Sequence, residues 1–266
     1  PRRTASTASA LMIGVGLVSC FTVVAASLTA SIKGVVDRSV TADYIVSPQS
    51  VTSQGMPPDV ATRVAADPEV AVTAPISLTT FHWNKDEVQA QGIVPDAIPP
   101  AVDVKVQQGA PLTSLHDGDV AISEDAVKNR NLKLGDSVPM QFARPGAHNQ
   151  RVVTVYARNP LLGDYLLTRT LTQSTGIQVL DILVLVKGKA GVSQADLRTH
   201  VQNAVKDFPD TQVQNNQEYK DSAAQSINVL LNLLTALVLL AIVIALLGVV
   251  NTMALSILER VRELGL

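Results

Sequence analysis

Between Asp221 and Glu259 the chain runs for 37 residues without a charged side chain: SAAQSINVLLNLLTALVLLAIVIALLGVVNTMALSIL. An uncharged apolar run of that length suits the hydrocarbon of a bilayer, where the backbone must close its own hydrogen bonds as a helix. It exceeds what the bilayer needs. At about 1.5 Å per residue it makes a rod of roughly 55 Å, against a hydrocarbon core of about 30 Å. Gln225, Asn228, Asn232 and Thr235, spaced three, four and three, share one face of its early part. They predict a half-wet stalk leading into the span, within residues 222–258. Lower down, Ala241, Ala245, Gly248, Thr252 and Ser256 form a small-residue seam that would let another helix approach closely.

A second uncharged run of 29 residues extends from Thr4 to Ile32, behind Arg2 and Arg3. Two readings compete. A basic start, an apolar run and the small residues Leu28-Thr29-Ala30 also describe a secretory signal peptide. The run is longer than the 7–15 apolar residues of such a segment. Gly16, Ser19, Thr22, Ala26 and Ala30 also share one face. Both features favour a transmembrane helix over residues 8–32. Arg2 and Arg3 before this span, and Arg260 and Arg262 after the other, put both ends in the cytoplasm. Lys33, Arg38 and Lys220 flank the opposite ends, but long loops cross largely regardless of charge.

A mean hydropathy of +0.24 agrees with a membrane chain of 266 residues. The net charge of −2 argues against a nucleic-acid binder, which carries a basic face. The single cysteine, Cys20, rules out an intrachain disulfide and a paired-cysteine zinc site. With Pro1 first and Leu266 directly behind a charged segment, the sequence looks like a piece of a longer protein.

The 189 residues from Lys33 to Asp221 are expected to form one extracytoplasmic α+β domain, with room for two lobes. Strands are expected at 43–46, 70–81, 88–93, 119–122, 137–142, 152–156, 182–186 and 211–214, with turns at Asn84-Lys85-Asp86 and Arg144-Pro145-Gly146. The alternation of Val102, Val104 and Val106 with Asp103 and Lys105 predicts a half-buried strand. Three helices are expected. One starts at Pro57-Pro58 and runs to Ala66, one follows Ser123 to Arg130, and one follows Ser193 to about Phe208. Pro95 to Pro100 reads as a stiff connection.

Catalytic chemistry finds no support in these residues. The only Gly-Lys pair, Gly188-Lys189, is followed by Ala190 and lacks the earlier glycine of a phosphate loop. Gly191-Val192-Ser193-Gln194-Ala195 approaches a nucleophile elbow, but Ser193 with Asp196 is a helix-cap pattern. His82, His116, His148 and His200 are scattered, so no metal site or cofactor is expected. His116-Asp117-Gly118-Asp119 reads as a turn before a strand, and Trp83 as a core residue.

Behind the long rod, Glu259, Arg260, Arg262 and Glu263 return at once to alternating charge. Arginines there are what a membrane flank supplies anyway. The acids, four residues apart on one face, are not required by that role and suit a docking face. Leu247-Gly248-Val249-Val250-Asn251-Thr252 followed by Glu259-Arg260-Val261-Arg262-Glu263-Leu264-Gly265-Leu266 resembles the signature of MacB/FtsX-type ABC transporter permeases. Asp119-Val120-Ala121-Ile122-Ser123-Glu124, Leu132 to Val138 and Val152 to Val155 resemble the family's periplasmic core domain. Pro1-Arg2-Arg3-Thr4 resembles the join before the second half of long duplicated permeases.

The resemblance implies a MacB-like periplasmic core domain flanked by two transmembrane helices in the cell membrane. It implies a permease that is not itself an enzyme and passes ATPase-driven motion to the outer domain. Substrates in the wider family are lipoproteins, peptides, antibiotics or lipids. Glu259, Arg260, Arg262, Glu263 and Gly265, within residues 259–266, would contact a separate ATP-binding cassette ATPase. Gly248 and Asn251 would pack or bend the span, and a second permease half or homodimer partner would complete the unit. A rival reading is a two-span membrane sensor with an extracytoplasmic ligand-binding domain. A membrane-anchored enzyme comes third, for want of a catalytic constellation.

Overall fold

A computed structural model describes residues 2–50, 53–142, 147–176 and 178–264; for 2–11, 147, 148, 252, 255, 256 and 258–264 it describes the backbone alone. The chain divides into two units. One holds the long helical ends, Pro1–Lys33 and Asp221–Leu266, and the other is the domain Gly34–Lys220. Helix α1 runs from Arg2 to Ser39 and α7 from Asn216 to Leu264. Both contain stretches long and apolar enough to cross a membrane, Met12–Ser39 and Asn216–Asn251.

Within the helical unit, α1 and α7 touch through a side of α1 other than the face of Gly16, Ser19, Thr22, Ala26 and Ala30. A Cβ on Gly14 would sit 2.4 Å from Ile242 Cδ1, so the bare backbone there is what admits the neighbour. Gly14 and Ala25 are buried, with Val18 and Phe21 half-buried between them. Gly16, Ser19, Thr22, Ala26 and Ala30 are exposed, and the Thr22 hydroxyl donates to the Val18 carbonyl of its own helix. Spacings of four, three and four put 14, 18, 21 and 25 on the face that the bulkier residues of α7 can fill.

The domain starts with β1 (Tyr44–Pro48), α2 (Pro58–Ala65) and the hairpin β2 (Val70–Trp83) and β3 (Asp86–Ile93). Asn84, at φ +57, makes the hairpin turn. A 3-10 turn at Pro95–Ala97 leads into α3 (Ile98–Ala101), so the proline-rich stretch is helical. Then come β4 (Val106–Gly109), β5 (Asp119–Ser123), α4 (Glu124–Arg130), β6 (Ser137–Gln141) and β7 (Ala147–Tyr156). The chain finishes with β8 (Tyr165–Thr168), α5 (Arg169–Ser174), β9 (Leu180–Gly188), α6 (Gln194–Val205) and β10 (Thr211–Gln214). The Arg144-Pro145-Gly146 turn lies outside the described residues. The strand expected over 102–106 is not there. Ile98 and Ala101 anchor the helical turn in the core, Val102 bridges to Val40, and the strand begins only at Val106.

The sheet order is β10-β1-β9-β2-β3-β8-β5-β7-β4, with β6 beside β7. Strand β6 also touches β2, where His82 meets Gln141, and so closes β2, β3, β8, β5, β7 and β6 into a ring. Phe81, Ile122, Val138, Met140, Val152, Tyr165 and Leu167 form a core cluster on these strands. A second cluster backs β10, β1, β9 and the start of β2 with α2 and α6. Val60, Ala61 and Val64 of α2, and Leu197, Val201 and Val205 of α6, recur at helical spacing and are buried there. The long β2 contributes Val70 to this cluster and Phe81 to the other.

Candidate functional site

Both long helices are rooted in the domain within one small region. At the α1 end, the Ser39 carbonyl accepts from the Asp103 amide at 2.7 Å, and the Thr41 and Ala42 amides donate to the Ala101 carbonyl. The Thr41 hydroxyl and the Lys187 ammonium both donate to the Pro100 carbonyl, at 2.9 and 3.1 Å. Val36 and Val40 are buried, so the last turn of α1 is part of the domain core. Asp43 then accepts from the Gly188 amide and the Gln194 side-chain amide, each at 2.9 Å. The Tyr44 hydroxyl donates to the Gln194 carbonyl, and burial pushes its pKa up.

At the α7 end, β10 hands over to the helix through a reciprocal cap. The Asn215 side chain accepts from the Glu218 amide at 2.8 Å, and the Glu218 carboxylate accepts from the Asn215 amide at 3.0 Å. Two of the helix's open amides are satisfied at once. Arg198 of α6 holds the other Glu218 oxygen at 2.8 Å. Asn216 donates to the Ala42 carbonyl, and the Lys220 ammonium lies 2.6 Å from Asp37 of α1. Lys220 is only 13% exposed, so this pair stands where solvent screens it less than at an open surface. The arrangement is built for holding, not for chemistry. It ties the root of one long helix to the root of the other and to β9, β10 and α6.

A buried ion pair fastens the sheet nearby. Asp181 of β9 is fully buried and takes Arg169, the first residue of α5, in a two-pronged contact. Its backbone exchanges two hydrogen bonds of 2.8 Å with Met56. Burial pushes the Asp181 carboxyl upward and Arg169 pulls it back, with the net shift upward.

The stretches that come near catalytic or metal patterns serve the fold. Ser193 accepts from the Asp196 amide and caps α6, as Ser123 caps α4. Asp117 accepts from the Thr168 hydroxyl, and Asp119 from the His116 amide. Trp83 packs against the ring's core with Arg130 over its face at 5.0 Å. Among the described residues no cluster of three metal-ligating side chains occurs.

On α7, Ala245 is half-buried whereas Ala241, Gly248 and Asn251 are exposed, and a Cβ on Gly248 would meet nothing within 4 Å. The side chains of Thr252 and Ser256 lie outside the described residues. So do those of Glu259, Arg260, Arg262 and Glu263, whose backbone continues α7, and so does all of Gly265. The root residues Asp37, Arg198, Asn215, Glu218 and Lys220 carry no motif of their own. Only Asn215-x-x-Glu218, a cap pattern ahead of an apolar run, could have flagged them.

The family profile of the MacB-like periplasmic core domain matches residues 4–204. The chain belongs to this family. The fold agrees with the periplasmic region of MacB from Actinobacillus actinomycetemcomitans at a TM-score of 0.54 and 15% identity, over 70% of this chain and 94% of that one. The extracellular domain of the noncanonic ABC-type transporter YknZ from Gram-positive bacteria matches at a TM-score of 0.47 and 15% identity, covering 65% and 99%. A domain of a putative permease protein from Porphyromonas gingivalis matches at 0.43 and 15% identity, covering 66% and 87%. No curated protein matches the chain. The MacB-like domain is thus a mixed α/β core with two apolar helices long enough to cross a membrane at its ends.

Proposed function

We propose that this chain is a permease segment of a MacB/FtsX-type ABC transporter, and that it carries motion across the membrane instead of forming a catalytic site. Residues 8–32 and the lower part of 222–258 cross the bilayer, and 33–221 lie outside the cytoplasm. ATP is hydrolysed on a separate ATP-binding cassette subunit. That subunit meets residues 259–266, at Glu259, Arg260, Arg262, Glu263 and Gly265. Ala241, Ala245, Gly248, Asn251, Thr252 and Ser256 receive a helix of the second permease half or of a homodimer partner. The domain acts on lipoprotein, peptide, antibiotic or lipid substrates outside the membrane.

One observation carries the reading. Helix α7 is a single 49-residue helix whose first turn is capped and ion-paired into the domain, and whose last turns carry the charged foot. A helix fixed at its root and charged at its foot is suited to pass a displacement along its axis. Single cysteines at Gln225 and Arg260, in a Cys20→Ser background, should react with an impermeant thiol reagent from opposite faces of the membrane. Labelling of both from one face would exclude the topology. Glu259→Ala with Glu263→Ala should lower co-purification of the cognate ATPase, and unchanged recovery would remove the coupling role.

A further inference from the structure

Away from the helix roots, a cleft of about 480 Å3 opens between β3, the last turn of α4 and the start of β8. That volume falls in the range of small-ligand sites. Strand β3 sends its alternate residues Glu87, Gln89 and Gln91 into the lining, and these share one side of the strand. Glu87 and Gln89 are exposed, whereas Gln91 is 9% exposed and forms the inner end. With its side-chain amide turned so that the nitrogen faces the acceptors around it, Gln91 donates to the Leu162 and Tyr165 carbonyls, at 2.8 and 3.2 Å. Gly163 makes this possible, since a Cβ there would lie 2.4 Å from the Gln91 amide.

The polar groups of this cleft differ in whether they already have partners. Its one cation, Arg130, is engaged twice, by Asp86 at 2.9 Å and by the Trp83 ring. Its carboxylates are not matched in the same way. Among the described residues Glu87 has no partner, and Asp164 has one oxygen on the Ser123 hydroxyl and the other without a partner. The amides of Gln89 and Asn129 have no partner there either. Val88 and Ala126 also line the cleft and supply apolar surface. Two carboxylates with free acceptor capacity, an apolar stretch and two side-chain amides match an alkyl stem that ends in an ammonium or guanidinium and hangs from a peptide backbone.

We propose that this cleft is a subsite for the basic side chain of a polypeptide that meets the domain outside the membrane. The carboxylates of Glu87 and Asp164 take the cationic head, and the amides of Gln89 and Asn129 pair with the peptide groups beside it. This does not depend on how α7 moves or on any ATPase.

Trp83 is the only tryptophan of the chain and underlies Arg130 at the cleft, so its emission reports occupancy. The full chain in detergent micelles is titrated with acetyl-Lys-Lys-Lys-amide, with the same tripeptide acetylated on every side-chain amine, and with spermidine. A saturable change with the first alone supports the proposal. Glu87→Gln, at an exposed side chain with no partner, should weaken that binding roughly fivefold. Asp164→Asn with Glu87→Gln should abolish it within the accessible range. No saturable change, an equal response to the acetylated peptide, or wild-type affinity in Glu87→Gln overturns the site. A response to spermidine equal to that of the charged tripeptide overturns the peptide assignment.

Discussion

The helix root and the β3–α4 cleft are both polar regions at a junction of helix and sheet, yet they are wired in opposite ways. At the root, Asp37, Asp43, Arg198, Glu218 and Lys220 each face a partner, and several face two. In the cleft, Glu87, Gln89 and Asn129 face none among the described residues, whereas Arg130 and Gln91 are engaged. A polar group whose hydrogen bonds are complete inside the fold contributes to stability and offers little to a ligand. One left open adds little to stability and keeps its bonding capacity for something else. The contrast therefore separates positions that hold the domain together from positions that wait for a partner, and it can be broken by substitution.

The largest effect is expected at the most completely enclosed pair. Asp181→Leu leaves the Arg169 guanidinium, 13% exposed, without either of its hydrogen-bond acceptors and should cost about 3–5 kcal/mol. Thermal unfolding followed by Trp83 emission should show the midpoint falling by about 10 °C. Replacing both residues by leucine should recover most of that loss, because two desolvated charges are removed together. A pH series adds the sign. The folded carboxyl is raised above its unfolded value, so its contribution is present in full below the ordinary carboxylate range. It is lost as pH climbs through the raised value. Asp181→Leu should flatten that slope.

Next come the ties of α7. Asn215→Ala removes the side chain that accepts from the Glu218 amide and should cost about 1 kcal/mol. A double-mutant cycle on Asp37 and Lys220 should return a coupling of about 0.5–1 kcal/mol, since Asp37 is 57% exposed. If both values vanish, the root is no firmer than an open surface and the contrast with the cleft fails on this side.

Local chemistry made much of the fold legible. The caps Ser123 and Ser193, the Asn84 turn of the β2–β3 hairpin and the two uncharged runs each carry their structural meaning within a few residues. Features that depend on distant partners did not show. Tyr165-Leu166-Leu167-Thr168 became β8 only because β3 and β5 flank it, and the ring closes where His82 pairs with Gln141. The Val102 alternation misled because Val40, far away in sequence, claims Val102. The same holds for the sites. The charged foot of α7 could be picked out from its residues, whereas the root is assembled from α1, α3, β9, α6 and β10 and has no linear signature.

The smallest stability effect belongs to the cleft, and it is the one that sharpens the comparison most. Glu87→Gln keeps size and hydrogen-bonding reach, removes one negative charge and disturbs no partner among the described residues. Its unfolding free energy should stay within about 0.5 kcal/mol of the parent. At the root the same exchange, Glu218→Gln, removes the charge that faces Arg198 and should lower the midpoint measurably. Equal shifts at the two positions would mean that Glu87 is engaged in holding the fold after all. A shift at Glu218 alone would separate the two kinds of polar junction by measurement, since one carboxylate then supports the domain and the other is free to meet a ligand.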